Sequence, residues 1–176
     1  MAEIYARDRA IASGSMMSMR FSCNIACDII FWVRLVFDTA TMVAAIRSDA
    51  GASRRLLLSA LERHRGLTLL VSVPLLIEYE AVMTRPEHLK AASLSAADIE
   101  ALLDAVAEIA EPVKLAYLWR PTLPDADDDM VLEAADNGRA DGIVTFNLRD
   151  FGLPAERFGI RSMSPVDAVQ RMGRRS

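Results

Sequence analysis

Residues 29–38, I-I-F-W-V-R-L-V-F-D, pack aromatic and β-branched side chains into a short run that ends on a carboxylate. That density marks a buried strand from Ile29 to Phe37, with Asp38 at its carboxyl end. Leu67 to Val73 and Asp141 to Phe146 read the same way, and Phe158 to Met163 is a weaker fourth strand. Helical stretches separate them: Thr41 to Ile46, then Ser53 to His64 after a break at Gly51. A helix opening at Pro74 follows, where a missing N–H costs nothing, and it runs to about Thr84 because Pro86 disfavours helical geometry at Arg85. Ser95 with Asp98 reads as a helix start, and Ile99, Leu102, Leu103, Val106 and Ile109 repeat at helical spacing until Pro112. Val113 to Trp119 is ambiguous between short strand and loop. Met130 to Ala135 forms a compact helix with Gly138 past its end, and Ser164-Pro165 opens a terminal one. Strands alternating with helices predict an α/β fold, a mostly parallel central sheet covered on both faces.

A chain of 176 residues with 52% apolar content supports one globular domain with a sizeable core. Its formal net charge of -4 excludes a broad attraction to nucleic acid, so any such binding must come from local basic patches and bound metal. Cys23 and Cys27 are the only cysteines, and no second pair or histidine cluster completes a zinc site. That usage suits a reducing compartment, and the cytoplasm is the expected location. Ile25 to Val33 is broken by Asp28 and followed by Arg34, too short and too charged to span a membrane. Residues 1–32 read as a loosely ordered N-terminal extension, with Met16, Met17 or Met19 as alternative starts. Residues 33–172 form the domain and 173–176 a tail.

Carboxylates recur where such a fold places its ligands, the crevice at the strand ends of a parallel sheet. Like charges gathered there cost energy unless a divalent cation neutralises them. Asp38 fits that role and fits equally a strand-to-helix cap aided by Thr39 and Thr41. Glu78 and Glu80 border the two sides of one apolar stripe, and helical geometry does not choose between them. In L-P-D-A-D-D-D-M, four aspartates within five positions exceed what a helix dipole needs. Asp129 shares a face with Leu132 and Ala135, while Asp125 and Asp128 share a neighbouring stripe. In V-T-F-N-L-R-D-F, Thr145 and Asn147 follow a strand; Asn147 can hold metal-bound water through its amide oxygen and Asp150 can add charge, or the segment is an ordinary turn. His64 and His88 adjoin no nucleophile and read as solvent-facing, and no Gly-rich phosphate loop is present.

Taken in order, L-V-F-D-T, L-L-I-E-Y-E-A-V-M-T-R-P, P-D-A-D-D-D-M-V-L-E-A-A and A-D-G-I-V-T-F-N-L-R-D-F resemble the PIN-domain family, especially the bacterial branch of toxins from toxin–antitoxin modules. The resemblance spans about residues 33–172. It implies a three-layer α/β/α domain whose acidic pocket binds magnesium or manganese and cleaves RNA internally. It implies catalytic and metal-binding roles for Asp38, Glu78 and Asp129, with Glu78 preferred over Glu80 because it matches E-Y-x-x-V-x-x-R-P, and Asn147 as the fourth site residue. Asp125, Asp128 and Asp150 are further candidates as ligands. This chain departs from the family pattern at Ala40, where Asn is frequent, and at Asn147, where Asp is frequent. Both changes remove polarity or charge from the pocket.

The implied chemistry is in-line attack of a metal-activated water on a phosphodiester, with Arg47, Arg54, Arg55, Arg85 and Arg149 as candidates to guide the RNA backbone. Few aromatics lie in the loops proposed to meet RNA, so stacking-based base recognition is not evident from the sequence. A cognate antitoxin would fill the groove with an Arg approaching the acids, and a homodimer is a further expectation from the family. The rival reading is a catalytically weakened PIN-like module that binds RNA or antitoxin. A phosphatase would want an acid where Ala40 stands, and a phospho-accepting domain would want a lysine later than Lys114, the last in the chain.

Overall fold

A computed structural model describes residues 33–63, 66–120, 122, 123, 125 and 128–173. The extension expected over 1–32 lies outside these, as do Ile29 to Trp32, both cysteines, His64, Asp127 and residues 174–176.

Among the described residues, five parallel strands form one sheet in the order β3-β2-β1-β4-β5. They are β1 (Val33–Phe37), β2 (Leu67–Ser72), β3 (Glu111–Val113), β4 (Gly142–Val144) and β5 (Arg161–Met163). The central strand β1 is flanked by β2 and β4, with Leu35 opposite Leu69 on one side and Phe37 opposite Val144 on the other. Leu35, Val36 and Phe37 are buried in the core, as a run without polar alternation requires of a strand covered on both faces. The helices are α1 (Thr39–Arg47), α2 (Ala52–Leu61), α3 (Val73–Met83), α4 (Pro86–Ala92), α5 (Ala96–Ile109), α6 (Asp129–Asn137), α7 (Leu148–Arg157) and α8 (Pro165–Gly173). The fold is the expected three-layer α/β/α arrangement around an all-parallel sheet.

Local chemistry accounts for most boundaries. Ser95 and Asp98 form the capping box that starts α5, and Ser72 caps α3 with Pro74 in its first turn. Ile99, Leu103 and Val106 are buried as their spacing requires. Three elements differ from the sequence reading. Pro86 ends α3 and also opens α4, because Arg85 as N-cap holds the extended geometry that a residue before proline prefers. The strand near position 113 begins earlier, at Glu111, and admits Pro112 because β3 lies at the sheet edge. A helix, α7, fills the stretch after β4 despite Gly152 and Pro154.

One ion pair ties the sheet laterally. Arg34 on β1 reaches across β2 and donates to both carboxylate oxygens of Glu111 on β3, at 2.7 and 2.8 Å. The same guanidinium donates to the Gly138 carbonyl at the end of α6 (2.9 Å), which fixes that helix against β1. This forked geometry is the strong form of the interaction.

Candidate active site at the carboxyl edge of the sheet

Chain order reverses between β1 and β4: β2 and β3 lie to one side, β4 and β5 to the other. In open parallel sheets the crevice outside such a reversal is where ligands bind. Asp38 and Thr145 are the residues that leave β1 and β4 at this point.

Asp38 is only 4% exposed and stands at the N-cap of α1, without a side-chain cap hydrogen bond. Its Oδ2 instead accepts the Thr145 hydroxyl at 2.7 Å. Thr145 is itself buried, and its oxygen accepts the Asn147 N–H at 2.9 Å, so the hydroxyl proton is directed at Asp38. Thr41, one turn into α1, donates to the Val144 carbonyl (2.9 Å) and locks the two strand ends together. Burial pushes the Asp38 carboxyl above its ordinary range, opposed by the Thr145 hydroxyl and by the amides of Ala40 and Thr39.

A second acid-bearing helix, α3, packs against α1. Tyr79 of α3 is wholly buried and donates its hydroxyl to the Phe37 carbonyl, one residue before Asp38. Burial, and then the charge of Asp38, push the Tyr79 phenol well above its usual value, so it remains a donor. Anchoring Tyr79 there leaves its neighbour Glu78 half-buried and Glu80 exposed. Glu78 is thus the less exposed of the two acids.

Asp129 is inward-facing, as its helical position requires, and is 1% exposed. Its Oδ1 accepts the backbone N–H groups of Leu123 (2.8 Å) and Thr122 (3.1 Å), tying down the loop before α6. Asn147 stands at the N-cap position of α7 with no side-chain cap bond, and its amide nitrogen donates to Asp150 at 2.8 Å. Asp125 is exposed and Asp128 half-buried. Among the described residues, no group of three or more His, Cys, Asp or Glu side chains stands close enough to hold a metal ion. The donor chemistry nevertheless suits a hard divalent cation: the groups are carboxylate and amide oxygens, and the burial that raises Asp38 is what a nearby positive charge offsets. A carboxylate offers about four acceptor positions, so two amides do not exhaust Asp129.

Arg47, Arg55, Arg85 and Arg149 are exposed and Arg54 is half-buried. Arg47 lines a cavity of about 620 Å³ with Ala40, Val43, Val82, His88 and Phe146. His88 is therefore half-buried in a cavity wall and not simply solvent-facing. Ala40 adds an apolar surface to that wall, two residues from Asp38.

A sequence model of the PIN domain matches residues 34–149, more than half of the chain. The chain belongs to the PIN-domain family. Among solved structures, this PIN domain is similar to the crystal structure of VapBC2 from Rickettsia felis bound to a DNA fragment from their promoter, with a TM-score of 0.53. The match has 14% sequence identity and covers 75% of this chain and 98% of that one, a likeness of fold. No curated protein matches the sequence.

Two residues of the PIN domain's polar framework could not be given their partners from sequence. Thr145 is the side chain that touches Asp38, and only its position after a strand hinted at it. Glu133, wholly buried, accepts from the Trp119 N–H (3.0 Å) and pairs with Arg120 (3.0 Å). Its spacing of four from Asp129 puts it on the same inward stripe, the signal that could have found it.

Proposed function

We propose that this PIN domain is a metal-dependent endoribonuclease and the toxin component of a toxin–antitoxin pair. The observation that carries the reading is the buried Asp38–Thr145 pair at the reversal point of a PIN-family sheet. Asp38, Glu78 and Asp129 are the groups that would hold Mg2+ or Mn2+, with Asn147 as an outer ligand and Asp125, Asp128 and Asp150 available nearby. A bound divalent ion supplies an acidified water and offsets charge on the phosphoryl group.

The chain's own residues do the positioning. Thr145 orients one oxygen of Asp38 and leaves the carboxylate aimed by two covalently distant strands, so its placement does not depend on a mobile loop. Asn147 is fixed through its nitrogen, which leaves its oxygen as the acceptor for a water. Arg47, Arg54, Arg55, Arg85 and Arg149 would steer the RNA backbone. Among the described residues, no helix is long and apolar enough to cross a membrane, and a cytoplasmic location fits an RNA substrate. The antitoxin would occupy the cavity bordered by Ala40, Val82 and Phe146, and a homodimer is consistent with the family.

A second reading is supported by Ala40 and by the amide bonds that engage Asp129: a catalytically weakened module that binds RNA or antitoxin. Cleavage of labelled RNA with magnesium or manganese tests the first reading. Wild type should cut, and Asp38→Asn and Asp129→Asn should not. Equal activity in all three would remove these acids from the mechanism, while calorimetry showing no uptake of manganese by wild type would favour the second reading.

A further inference from the structure

The loop between β3 and α6 carries three large exposed side chains in succession, Tyr117 (65%), Leu118 (66%) and Trp119 (41%). Exposed apolar side chains on a loop are ordinarily loosely held. These are not, because α6 holds the loop backbone at Ala116, Tyr117 and Trp119. Asn137 accepts the Ala116 and Tyr117 N–H groups (2.8 and 3.0 Å) and donates to the Tyr117 carbonyl (2.9 Å). Glu133 accepts the Trp119 N–H, and Asp136 accepts the Trp119 indole at 2.8 Å. The rings are ordered in turn: Tyr117 stacks on Trp119 (6.1 Å, 26° between planes), and Trp119 leans on Phe158 (5.3 Å, 57°). Tyr117 is the outer member of this series.

Beside Asn137 opens a cavity of about 550 Å³ whose walls include Lys114 and Arg139. Arg34 and Glu111, also in the wall, neutralise each other. Neither Lys114 nor Arg139 joins an ion pair among the described residues, so the cavity has cationic charge to spare. At the other end of the same loop, Thr122 and Leu123 are bonded to Asp129 of the candidate site. Asp129 and Asn137 are eight residues apart on α6, about 12 Å at 1.5 Å per residue. A rigid aromatic series with unpaired cations at one end and the acidic crevice at the other has the two components of a single-strand path, stacking surface and phosphate charge. An acidic protein partner would use the cations and leave the ring faces unexplained.

We infer that Tyr117 and Trp119 form a stacking platform for unpaired bases of single-stranded RNA, with its phosphates running toward Lys114 and Arg139. The inference deepens the nuclease reading, on which it rests for the identity of the strand as substrate. Rings stack only on bases freed from a duplex, so single strands should be preferred.

The test is fluorescence anisotropy of a labelled oligoadenylate, and of the same strand in a duplex, with the full chain in EDTA so that binding is read apart from cleavage. Wild type should favour the single strand. Tyr117→Ala should weaken it about tenfold, Tyr117→Phe should bind as wild type, and Lys114→Glu should weaken binding and flatten its salt dependence. Tyr117 is exposed, and unchanged melting of its variants controls for folding. Binding by Tyr117→Ala and Lys114→Glu equal to wild type overturns the platform, as does absence of any single-strand preference. A dimer that Tyr117→Ala dissociates, with RNA binding intact, assigns the face to a second copy and also overturns it. Parallel cleavage assays with magnesium separate the two ideas: cutting without platform effects removes only the platform, and platform-dependent binding without cutting removes only the nuclease.

Discussion

Asp38 is held where its charge is disfavoured. Folding raises its carboxyl pKa, so the stability it contributes is fully present below the pKa of the unfolded chain and is lost as pH rises through the folded value. At neutral pH, without metal, the ionised group works against the fold. Asp38→Asn should therefore melt a few degrees above wild type in EDTA at pH 7, with the gap closing as pH falls through the raised folded value toward the ordinary carboxylate range; differential scanning fluorimetry across pH reads this directly. A variant less stable than wild type at pH 7 would show that Asp38 is net stabilising. Thr145→Val probes the same pair from the other side and should cut activity about 10- to 100-fold, as loss of a group orienting a ligand does. Asp38 was legible because a carboxylate ended an apolar run. Thr145 was not distinguished from Asn147, since choosing the one that reaches Asp38 requires the register between β1 and β4. The inward direction of Asp129 was legible from its helix, but its amide partners were not, because a helical repeat says nothing about the loop laid over it.

The element that governs the site's outer wall is α6. Its polar stripe, Asp129, Glu133, Asp136 and Asn137, binds the preceding loop at Ala116, Tyr117, Trp119, Thr122 and Leu123. Asn137 alone makes four hydrogen bonds, three to that loop and one to Glu133 of its own helix. Asn137→Ala should cost about 1–3 kcal/mol, the range for leaving such groups unsatisfied. Hydrogen exchange should quicken at the Ala116 and Tyr117 amides, while those of Thr122 and Leu123, held by Asp129, keep their protection. Uniform loss along the loop would mean that it is held as one unit and not residue by residue. Composition concealed this element, since Val113 to Trp119 reads as strand or loop alike. It concealed α7 as well, where Gly152 and Pro154 are breaking signals that the apolar anchors Phe151 and Ala155 override by burial. The capping box of α5 had no such competitor and was readable in full.

At the scale of the molecule, alternating strands and helices announced a covered parallel sheet, but not the order β3-β2-β1-β4-β5. Strand order depends on which crossover passes over which neighbour, and that is decided by packing among helices far apart in sequence. The order matters because it brings Asp38 and Thr145, 107 positions apart, into one hydrogen bond. A cation bound there would act on the whole fold, since it would bind the native state and not the unfolded chain. At a free concentration 100 times its dissociation constant a ligand adds about 2.7 kcal/mol, which in a domain of this size corresponds to roughly 5–10 °C in Tm. Manganese should raise the melting temperature of wild type by that order and leave Asp38→Asn unmoved, with EDTA reversing the shift. An equal rise in both proteins would place the ion elsewhere, and the acidic crevice would then lose its claim to be a metal centre.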